Sequence, residues 1–239
     1  MTSSSSYIIG VDEAGRGPVI GDMVIVAAAY PRSLEPKLVE LGVRNSKKLS
    51  PSSREHVLKS ILGTGVLLVV AYVPPWILDS ENLNDAEARY ILKALELCAK
   101  ILRSRGVREL EVYVDEVLGR SMAIEEQAKR ALGFAEHVVV RVEKDADEKY
   151  PAVSMASIAA KVSRDRALKL LKKLAGDFGS GYPSDPATRN WIRAVHEKLA
   201  KPPPFVRKTW STLKTIAPKW YIVKGKGKQR SLLDFAKGG

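Results

Sequence analysis

The amino-acid sequence predicts an α/β fold in which helices flank a central sheet, and three observations lead to that prediction. Short apolar segments alternate with longer amphipathic segments along the 239 residues. Two of the apolar segments, 23–30 and 66–73, are continuous, which is typical of strands covered on both faces. Proline and glycine separate the segments, and 45% hydrophobic residues are enough to form a full core.

Five strands and five longer helices are predicted in order along the chain. The strands are predicted at 7–11, 23–30, 66–73, 109–114 and 136–142. The helices are predicted at 51–62, 84–105, 121–132, 153–174 and 186–199. Three of the helices begin with a side chain suited to capping, at Ser50, Asn84 and Asp185. Pro31, Pro36 and the pair Pro74-Pro75 are read as chain breaks.

The positive charge is concentrated at the carboxyl-terminal end. The whole chain carries a formal net charge of +12, and residues 201–239 hold ten Lys or Arg against the single acid Asp234. A basic appendage on a nearly neutral body predicts a polyanionic partner such as nucleic acid. The proline run 202–204 predicts a boundary. We therefore expect a main domain at 1–200, a small basic helical extension at 201–223 and a flexible basic tail at 224–239.

The sequence argues against secretion and against membrane insertion. Cys98 is the single cysteine and lies in an apolar helical pattern, so we expect a small core side chain and no disulfide within the chain. The amino terminus lacks the basic and apolar segments of a signal peptide. The apolar run 66–73 is too short to span a bilayer. These features predict a cytoplasmic protein with no membrane partner.

Carboxylates follow three of the predicted strands. Asp12 and Glu13 come directly after the first strand, Asp115 after the fourth, and Asp147 shortly after the fifth. Buried carboxylates must be paired, protonated or bound to metal. The carboxyl ends of strands in an α/β sheet lie at one edge, so these acids are expected to meet there. Asp12 and Glu13 can converge only if the first strand ends at that point, because neighbours in a strand point to opposite faces.

An all-carboxylate cluster predicts a particular metal chemistry. Carboxylate oxygens suit Mg²⁺ or Mn²⁺ better than Zn²⁺. Two such ions about 4 Å apart can support hydrolysis of a phosphodiester. The histidines at 56, 137 and 196 have no metal-ligand spacing, and the chain has no phosphate-binding P-loop. The glycines at 15, 17 and 21 match a dinucleotide fingerprint poorly, because Pro18 leads into a strand.

At these residues the sequence resembles the type 2 ribonucleases H (ribonuclease HII), and within them the archaeal branch. Five motifs in order carry the resemblance: 12–17 (DEAGRG), 45–49 (NSKKL), 113–115 (YVD), 146–161 (ADEKYPAVSMASIAAK) and 179–186 (GSGYPSDP). The resemblance covers about residues 7–200. It implies a ribonuclease H-like fold with a mixed central sheet. It also implies a metal-dependent endonuclease that cuts RNA in RNA–DNA hybrids and at ribonucleotides embedded in duplex DNA.

The resemblance also implies roles for individual residues. Asp12, Glu13, Asp115 and Asp147 are implied as catalytic ligands of two divalent ions, Mg²⁺ or Mn²⁺. Gly15, Arg16, Gly17 and Tyr182 are implied to recognise the ribose 2′-hydroxyl, the group that distinguishes RNA from DNA. Ser46, Lys47 and Lys48 are implied as substrate contacts, the two lysines as phosphate clamps. Asp147 is preferred over Asp145 for its spacing to the following proline, and Asp115 over Glu116 because it directly follows the strand.

Two residues depart from the family pattern. Asn45 stands where the family usually has Asp, and the lost charge lies outside the implied metal site, so little effect on catalysis is expected. Asp22 follows Gly21 where proline is typical, which is expected to alter the local turn.

The carboxyl-terminal tail resembles a peptide that docks on sliding clamps. Gln229 is followed by Leu232 three residues later and by Phe235 six residues later. This spacing places the two apolar side chains on one side of a helical turn, where both can enter one pocket. The usual second aromatic residue is replaced by Ala236, which is expected to weaken binding. A charged tail that binds only nucleic acid is the alternative.

Two other functions are compatible with the residues alone. One is a nuclease of the same fold that acts on another substrate, such as a DNA junction. The other is a catalytically silent protein that binds hybrids or clamps. A duplex with a single ribonucleotide distinguishes all three, because only the ribonuclease is expected to cut it at the ribose.

Overall fold

A five-stranded mixed sheet forms the centre of the fold in the computed structural model, which describes residues 6–45, 47 and 49–224. The strands are β1 (Ser6–Ala14), β2 (Met23–Pro31), β3 (Leu67–Val73), β4 (Glu109–Asp115) and β5 (His137–Glu143). Their order across the sheet is β3-β2-β1-β4-β5. β1 pairs antiparallel with β2 and parallel with β4, and β4 pairs parallel with β5. All five predicted strands and the mixed sheet are confirmed.

Helices connect the strands and follow the last of them. They are α1 (Glu35–Glu40), α2 (Pro51–Leu62), α3 (Pro75–Ser80), α4 (Leu83–Ser104), α5 (Ser121–Ala131), α6 (Ala146–Lys149), α7 (Pro151–Ala175), α8 (Pro186–Lys198) and α9 (Leu213–Ile216). The five predicted helices correspond to α2, α4, α5, α7 and α8 within two residues at each end. Within the described ranges, no helix is long and apolar enough to pass through a bilayer.

Two short helices occur where the sequence was read as broken by proline. Pro36 and Pro75 stand in the first turn of α1 and of α3, respectively. A proline is tolerated there, because the first-turn amides have no partner within the helix. The strand ends predicted at these prolines are confirmed, because β2 ends at Pro31 and β3 ends at Val73, whereas the two short helices that follow were not predicted.

The predicted caps are confirmed at two helices and displaced at a third. The Ser50 hydroxyl accepts a hydrogen bond from the amide of Ser53 at 3.1 Å, and the Asp185 carboxylate accepts one from the amide of Ala187 at 2.9 Å. At α4, the Asn82 side chain accepts from the amide of Asn84 at 2.8 Å. Asn84 itself lies inside the helix, so the cap is two residues earlier than predicted.

The chain divides into two compact units, each with its own core. Among the described residues, the first unit contains those within 6–14, 24–71 and 87–163, and the second contains those within 15–23, 72–86 and 164–224. Side chains of β1, β2, α2 and residues 152–162 of α7 form the core of the first unit. Cys98 of α4 is fully buried and unpaired, as expected. The boundary predicted at residue 200 was based on the proline run and on charge, whereas these units are defined by compactness. That boundary therefore stays a prediction.

The core of the second unit includes much of the basic extension. Val206, Leu213 and Trp220 pack there with Phe178 and Ile192. The Trp220 indole donates a hydrogen bond to the Leu199 carbonyl at 3.1 Å. The short helix α9 and a 3-10 turn at Pro218–Trp220 supply the helical character predicted for this extension.

Helix α7 approaches the sheet closely at Gly10 in β1. A Cβ atom added to Gly10 would lie 2.0 Å from the carbonyl carbon of Ala152 in α7. Real Cβ atoms do not come so near to backbone, so only glycine allows α7 to approach β1 this closely. This contact holds the start of α7 over the carboxyl-terminal part of β1.

Substitution Gly10→Ala is expected to lower the free energy of unfolding by about 1–3 kcal/mol or more, because the added methyl group overpacks a rigid helix–sheet contact. The matched control is Gly63→Ala at the end of α2, where the new Cβ would meet its nearest atom at an ordinary 3.7 Å. The control is expected to change stability by less than about 0.5 kcal/mol. Denaturant unfolding of both variants checks this, and equal stabilities would contradict the contact.

Candidate active site

Asp12 and Asp115 share one face of the sheet at the ends of neighbouring parallel strands. Val11 pairs with Val114 in register, and each aspartate follows directly. Paired residues of adjacent strands point to the same side. Two residues earlier in each strand, Gly10 contacts α7 and Tyr113 packs against the core of the first unit. The two carboxylates therefore lie on the face of the sheet that α7 covers.

Asp12 is a buried carboxylate in repulsive surroundings. Its side chain is almost completely inaccessible to solvent. Burial raises the pKa of Asp12 well above its ordinary value, and the negative charges of Glu13 and Asp115 raise it further. The Ser157 hydroxyl and the Glu13 amide, at 2.7 Å, donate hydrogen bonds that partly oppose this shift in pKa. An ionised Asp12 thus needs a nearby cation.

Asp115 is held in place from the next loop. Its Oδ1 accepts a hydrogen bond from the Ala146 amide at 2.9 Å, which ties the end of β4 to the start of α6. Burial raises the pKa of Asp115, and the charge of Asp147 contributes to the same shift. Asp115 is therefore coupled electrostatically to both Asp12 and Asp147, across three separate segments of the chain.

Asp147 lies in α6, immediately after β5. Its side chain is 8% exposed, whereas the side chain of Asp145 is 53% exposed. Asp145 adopts a left-handed backbone conformation, with φ of 55°. This turn lets the chain leave β5 and begin α6, with Asp147 buried and Asp145 largely in solvent.

Glu13 differs from the expectation in one respect. The first strand was predicted to end at Val11, but β1 continues to Ala14, because Glu13 and Ala14 still pair with Ile25 and Val24 of β2. A regular strand directs Asp12 and Glu13 to opposite faces. Glu13 is therefore next to Asp12 in the sequence, and its charge raises the pKa of Asp12. The strand alternation nevertheless does not bring the two side chains together. Its role as a metal ligand stays a prediction.

The ammonium group of Lys47 lies among the acids of the α6 region. Its Nζ is 2.7 Å from Glu148, 3.3 Å from Asp147 and 4.0 Å from Asp145. The hydrogen bond to Glu148, followed by the charge of Asp147, raises the pKa of Lys47 above its ordinary value. Lys47 thus supplies a positive charge next to Asp147 and Glu148.

The donor chemistry fits a hard divalent cation, although the side chains are not arranged as a ligand set. Among residues 6–45, 47 and 49–224, no three His, Cys, Asp or Glu side chains form a group that could hold a metal ion as they stand. Asp12, Asp115 and Asp147 nevertheless offer only oxygen donors, and the charge of Asp115 raises the pKa of Asp12 while the charge of Asp147 raises the pKa of Asp115. A divalent ion would offset that repulsion, once side-chain rotation brought the oxygens around it.

The second unit contains the loop Gly15–Arg16–Gly17 together with Tyr182. Gly15 has φ of 90°, and an added Cβ would lie 2.5 Å from Arg164 Nε, so only glycine fits there. A Cβ on Gly17 would lie 3.5 Å from the ring of Tyr182, which places that ring against the loop. Tyr182 is 41% exposed and so remains accessible to a ligand. The side chain of Arg16 donates a hydrogen bond to Asn84.

Three residues that contact the predicted site residues were not singled out from the sequence. Ser157 donates to Asp12 and accepts from Lys161 Nζ at 2.8 Å. Arg164 lies with its guanidinium 5.5 Å from the centre of the Tyr182 ring. Arg207 is fully buried against the glycine loop. A buried position in α7 was predictable from the helical pattern, but contacts with a loop far away in the sequence were not.

Several predicted site residues lie outside the described residues. They are Ser46, Lys48, Gln229, Leu232 and Phe235.

Of the two departures from the family pattern, Asp22 follows Gly21, whose φ is 88°. Burial raises the pKa of Asp22, and the nearby charge of Arg207 opposes the shift. Asn45 ends a 3-10 turn at Val43–Asn45.

Comparison with known proteins identifies relatives over nearly the whole chain. The family model described as Ribonuclease HII matches residues 9–213. Ribonuclease HII of Hyperthermus butylicus is 44% identical over 97% of this chain and 95% of its own length. Ribonuclease HII of Thermococcus kodakarensis is 42% identical over 95% of this chain and 96% of its own length.

Solved structures show the same fold. Ribonuclease H2 from Pyrococcus horikoshii matches with a TM-score of 0.77 and 36% identity, over 90% of this chain and 98% of that one. The ribonuclease HII in a complex with PCNA from Archaeoglobus fulgidus matches with a TM-score of 0.70 and 33% identity, over 95% of this chain and all of that one. A ribonuclease HIII solved with Mn²⁺ is 21% identical, with a TM-score of 0.64, and shows the fold alone.

The sheet order, the covering helices and the acids at the strand ends define a ribonuclease H-fold nuclease. The chain belongs to the ribonuclease HII family, and its close relatives are archaeal. It is therefore an enzyme, an endoribonuclease of the ribonuclease H type. The resemblance drawn from the five sequence motifs is confirmed.

Substitution Asp12→Asn is expected to stabilise the metal-free protein by on the order of 1–3 kcal/mol, because it removes a buried and repelled charge. The pKa of Asp12 is raised in the folded state, so the wild type loses stability as pH rises from about 4 toward that raised pKa. The variant lacks this loss, and its advantage should therefore grow with pH. Denaturant unfolding in excess chelator, at about pH 4 and about pH 8, measures the difference.

The control for this prediction is Glu96→Gln on α4, where the side chain is exposed. It is expected to change stability little at either pH. An advantage of Asp12→Asn that is the same at both pH values would show that the Asp12 charge is not strained in the folded protein.

Proposed function

We propose that this enzyme hydrolyses the RNA strand of RNA–DNA hybrids, and also cuts at single ribonucleotides within duplex DNA. The cut is endonucleolytic and leaves 5′-phosphate and 3′-hydroxyl ends, without a covalent enzyme intermediate. The observation that carries the proposal is the electrostatic coupling of Asp115 to Asp12, on the face of the sheet that α7 covers, and to Asp147 in α6, within a chain of the ribonuclease HII family.

Two divalent ions, Mg²⁺ or Mn²⁺, are proposed as cofactors. Asp12 and Asp147 would hold one ion, and Asp115 and Glu13 would complete the ligand set. When bound, such ions activate a water on one side of the phosphodiester and stabilise the leaving oxygen on the other. The Mn²⁺ in the ribonuclease HIII structure belongs to that protein, and it supports an oxygen-rich site on this fold.

The acids have the properties that such a site requires. Burial keeps Asp12 and Asp147 away from bulk water, so their charges act strongly on whatever cation lies between them. The Ala146 amide fixes the Asp115 carboxylate, and Ser157 fixes that of Asp12. Lys47 neutralises part of this charge, and its Nζ would move to a substrate phosphate when a metal ion takes its place.

Recognition of the ribose is assigned to the second unit. The Gly15–Arg16–Gly17 backbone would hydrogen-bond the 2′-hydroxyl, and the exposed face of Tyr182 would pack against the adjacent sugar. Only one residue, Ala14, separates this loop from Glu13 in the sequence. Ser46 and Lys48 are proposed as further substrate contacts, and so is Lys47.

Substitution Asp147→Asn is expected to reduce cleavage by at least about a thousandfold, because loss of a metal-binding charge costs several kcal/mol. Asp145→Asn is the matched control, two residues away and largely exposed, and should keep most of the activity. The assay follows cleavage of a DNA duplex with one ribonucleotide, with Mg²⁺ and with chelator. Loss of activity in Asp145→Asn but not in Asp147→Asn would reverse the assignment of the ligand.

The same assay separates the enzyme from its alternatives. Cutting at the ribonucleotide that stops in chelator supports the proposal. Cutting of a branched DNA junction without cutting at the ribose would indicate a different nuclease. Binding of the duplex with no chelator-sensitive cleavage would indicate a silent binding protein.

We also propose that the carboxyl-terminal tail binds a sliding clamp through Gln229, Leu232 and Phe235. The structural relative from Archaeoglobus fulgidus was solved in a complex with PCNA, which supports the same kind of partner for this chain. Clamp binding fits a role in removing primers or misincorporated ribonucleotides during DNA replication and repair. The enzyme would act in the cytoplasm, where archaeal chromosomes lie.

Substitution Phe235→Ala is expected to weaken clamp binding at least about tenfold, because an aromatic anchor leaves its pocket. Ala236→Phe restores the second aromatic residue of the family pattern and should strengthen binding. Titration of a purified archaeal clamp measures both variants, and cleavage of free duplex should not change in either. Equal affinities of the wild type and both variants would remove the tail motif as a docking peptide.

A further inference from the structure

Arg207 is a buried charge for which the proposed chemistry gives no role. It lies in the basic extension, after the proline run, and is completely inaccessible to solvent. Burial, and then the charge of Arg164, lowers the pKa of Arg207 to about 9. A buried guanidinium is costly unless strong hydrogen bonds compensate it. The partners of Arg207 therefore indicate what this charge does.

The hydrogen bonds of Arg207 go to the carbonyl oxygens of the glycine loop. Its Nη2 donates to Gly15 O at 2.6 Å, and its Nη1 donates to Arg16 O at 3.0 Å. Its Nε donates to Gly21 O at 2.9 Å, at the far end of the same loop. The Trp210 indole donates to Gly17 O at 2.9 Å. Two side chains of the extension thus hold every carbonyl of the Gly15–Arg16–Gly17 segment.

The backbone around Arg207 is itself fixed to the loop. The Arg207 amide donates to Val19 O at 2.9 Å, and the Gly21 amide donates to Phe205 O at 2.8 Å. The Asp79 carboxylate accepts hydrogen bonds from the amides of Lys208 and Thr209, at 3.0 and 2.9 Å. Backbone hydrogen bonds therefore fix the position of Arg207, and the loop cannot rotate without breaking several of them.

Holding the carbonyls determines the direction of the amides. In a trans peptide the C=O and N–H groups point in opposite directions, and the described residues contain no cis peptide bond. The carbonyls of Gly15 and Arg16 point to Arg207, so the amides of Arg16 and Gly17 point away from it. Pro18, which follows, has no amide hydrogen. The clamp thus directs two donors to the side of the loop opposite Arg207.

We propose that Arg207, assisted by Trp210, is the positioning residue for ribose recognition. It orients the amides of Arg16 and Gly17 toward the ribose 2′-hydroxyl. The extension after residue 200 thereby contributes to substrate specificity. This inference rests on the proposed function. Arg207 itself contacts neither the substrate nor the metal ions and acts only through the peptide planes of the loop.

Two substitutions test the clamp in the cleavage-deficient Asp12→Asn protein. Arg207→Lys keeps the charge but cannot reproduce the three-pronged guanidinium. Trp210→Phe removes one indole donor to the loop. The matched control is Trp220→Phe, which removes an indole donor to Leu199 O, in the same unit but outside the loop. The affinity for a duplex with one ribonucleotide is compared with that for the all-DNA duplex of the same sequence.

The ratio of the two affinities is the decisive measurement. It is expected to fall about tenfold in Arg207→Lys and about threefold in Trp210→Phe, which correspond to roughly one hydrogen bond or less. Binding of the all-DNA duplex should remain unchanged, because phosphate contacts do not depend on the loop amides. Trp220→Phe should keep the ratio, although Trp220 is the more deeply buried of the two tryptophans and its loss should cost more stability.

The outcomes separate this inference from the function on which it rests. An unchanged ratio in Trp210→Phe and in folded Arg207→Lys would overturn the positioning role, and if Arg207→Lys does not fold, Trp210→Phe decides alone. An equal fall in Trp220→Phe would also overturn it, since a general loss of packing would then explain the effect. A parent protein that shows no preference for the ribonucleotide would overturn the proposed function, and this inference with it.

Discussion

The burial of two neighbouring carboxylates, Asp12 and Asp115, is the constraint on which the arrangement of the first unit depends. Asp12 lies two residues before the end of β1, and Asp115 ends the neighbouring parallel strand β4. Both point to the same side of the sheet, where burial makes their ionisation costly. Hydrogen bonds from Ser157 and Ala146 hold them there but do not neutralise them. An enzyme that keeps such a pair gives up stability for reactivity, a trade-off typical of active sites.

The elements around this pair follow from the need to cover it. Gly10 removes the side chain that would keep α7 away from β1, and α7 then brings Ser157 to Asp12. The left-handed turn at Asp145 begins α6 shortly after β5. Asp147 thereby lies near enough to Asp115 for its charge to raise the pKa of Asp115. Lys47 brings a positive charge to the same place from a loop about a hundred residues earlier in the chain.

The sequence predicted the strands, the longer helices and the position of Asp115 at the end of β4 well, because these depend on local patterns. Apolar runs, and caps such as Ser50 and Asp185, mark strands and helices within a few residues. Pairing partners are not local, and so the continuation of β1 through Glu13, opposite Ile25, was missed. Arg207 was missed for the same reason, since it bonds to Gly15 across 192 residues and looks like any other charge in a basic segment. The short helices at Pro36 and Pro75 were hidden by a residue that both breaks helices and begins them.

Cys98 gives the protein a built-in reporter. It is the single thiol of the chain, and it lies fully buried in α4, where burial raises its pKa to about 12. The reactive thiolate is therefore scarce in the native state, and alkylating reagents gain access only when the structure opens around it. The rate of alkylation then measures the opening of this helix directly. The same burial disfavours oxidation of this thiol in the native state, because oxidation proceeds through the exposed thiolate.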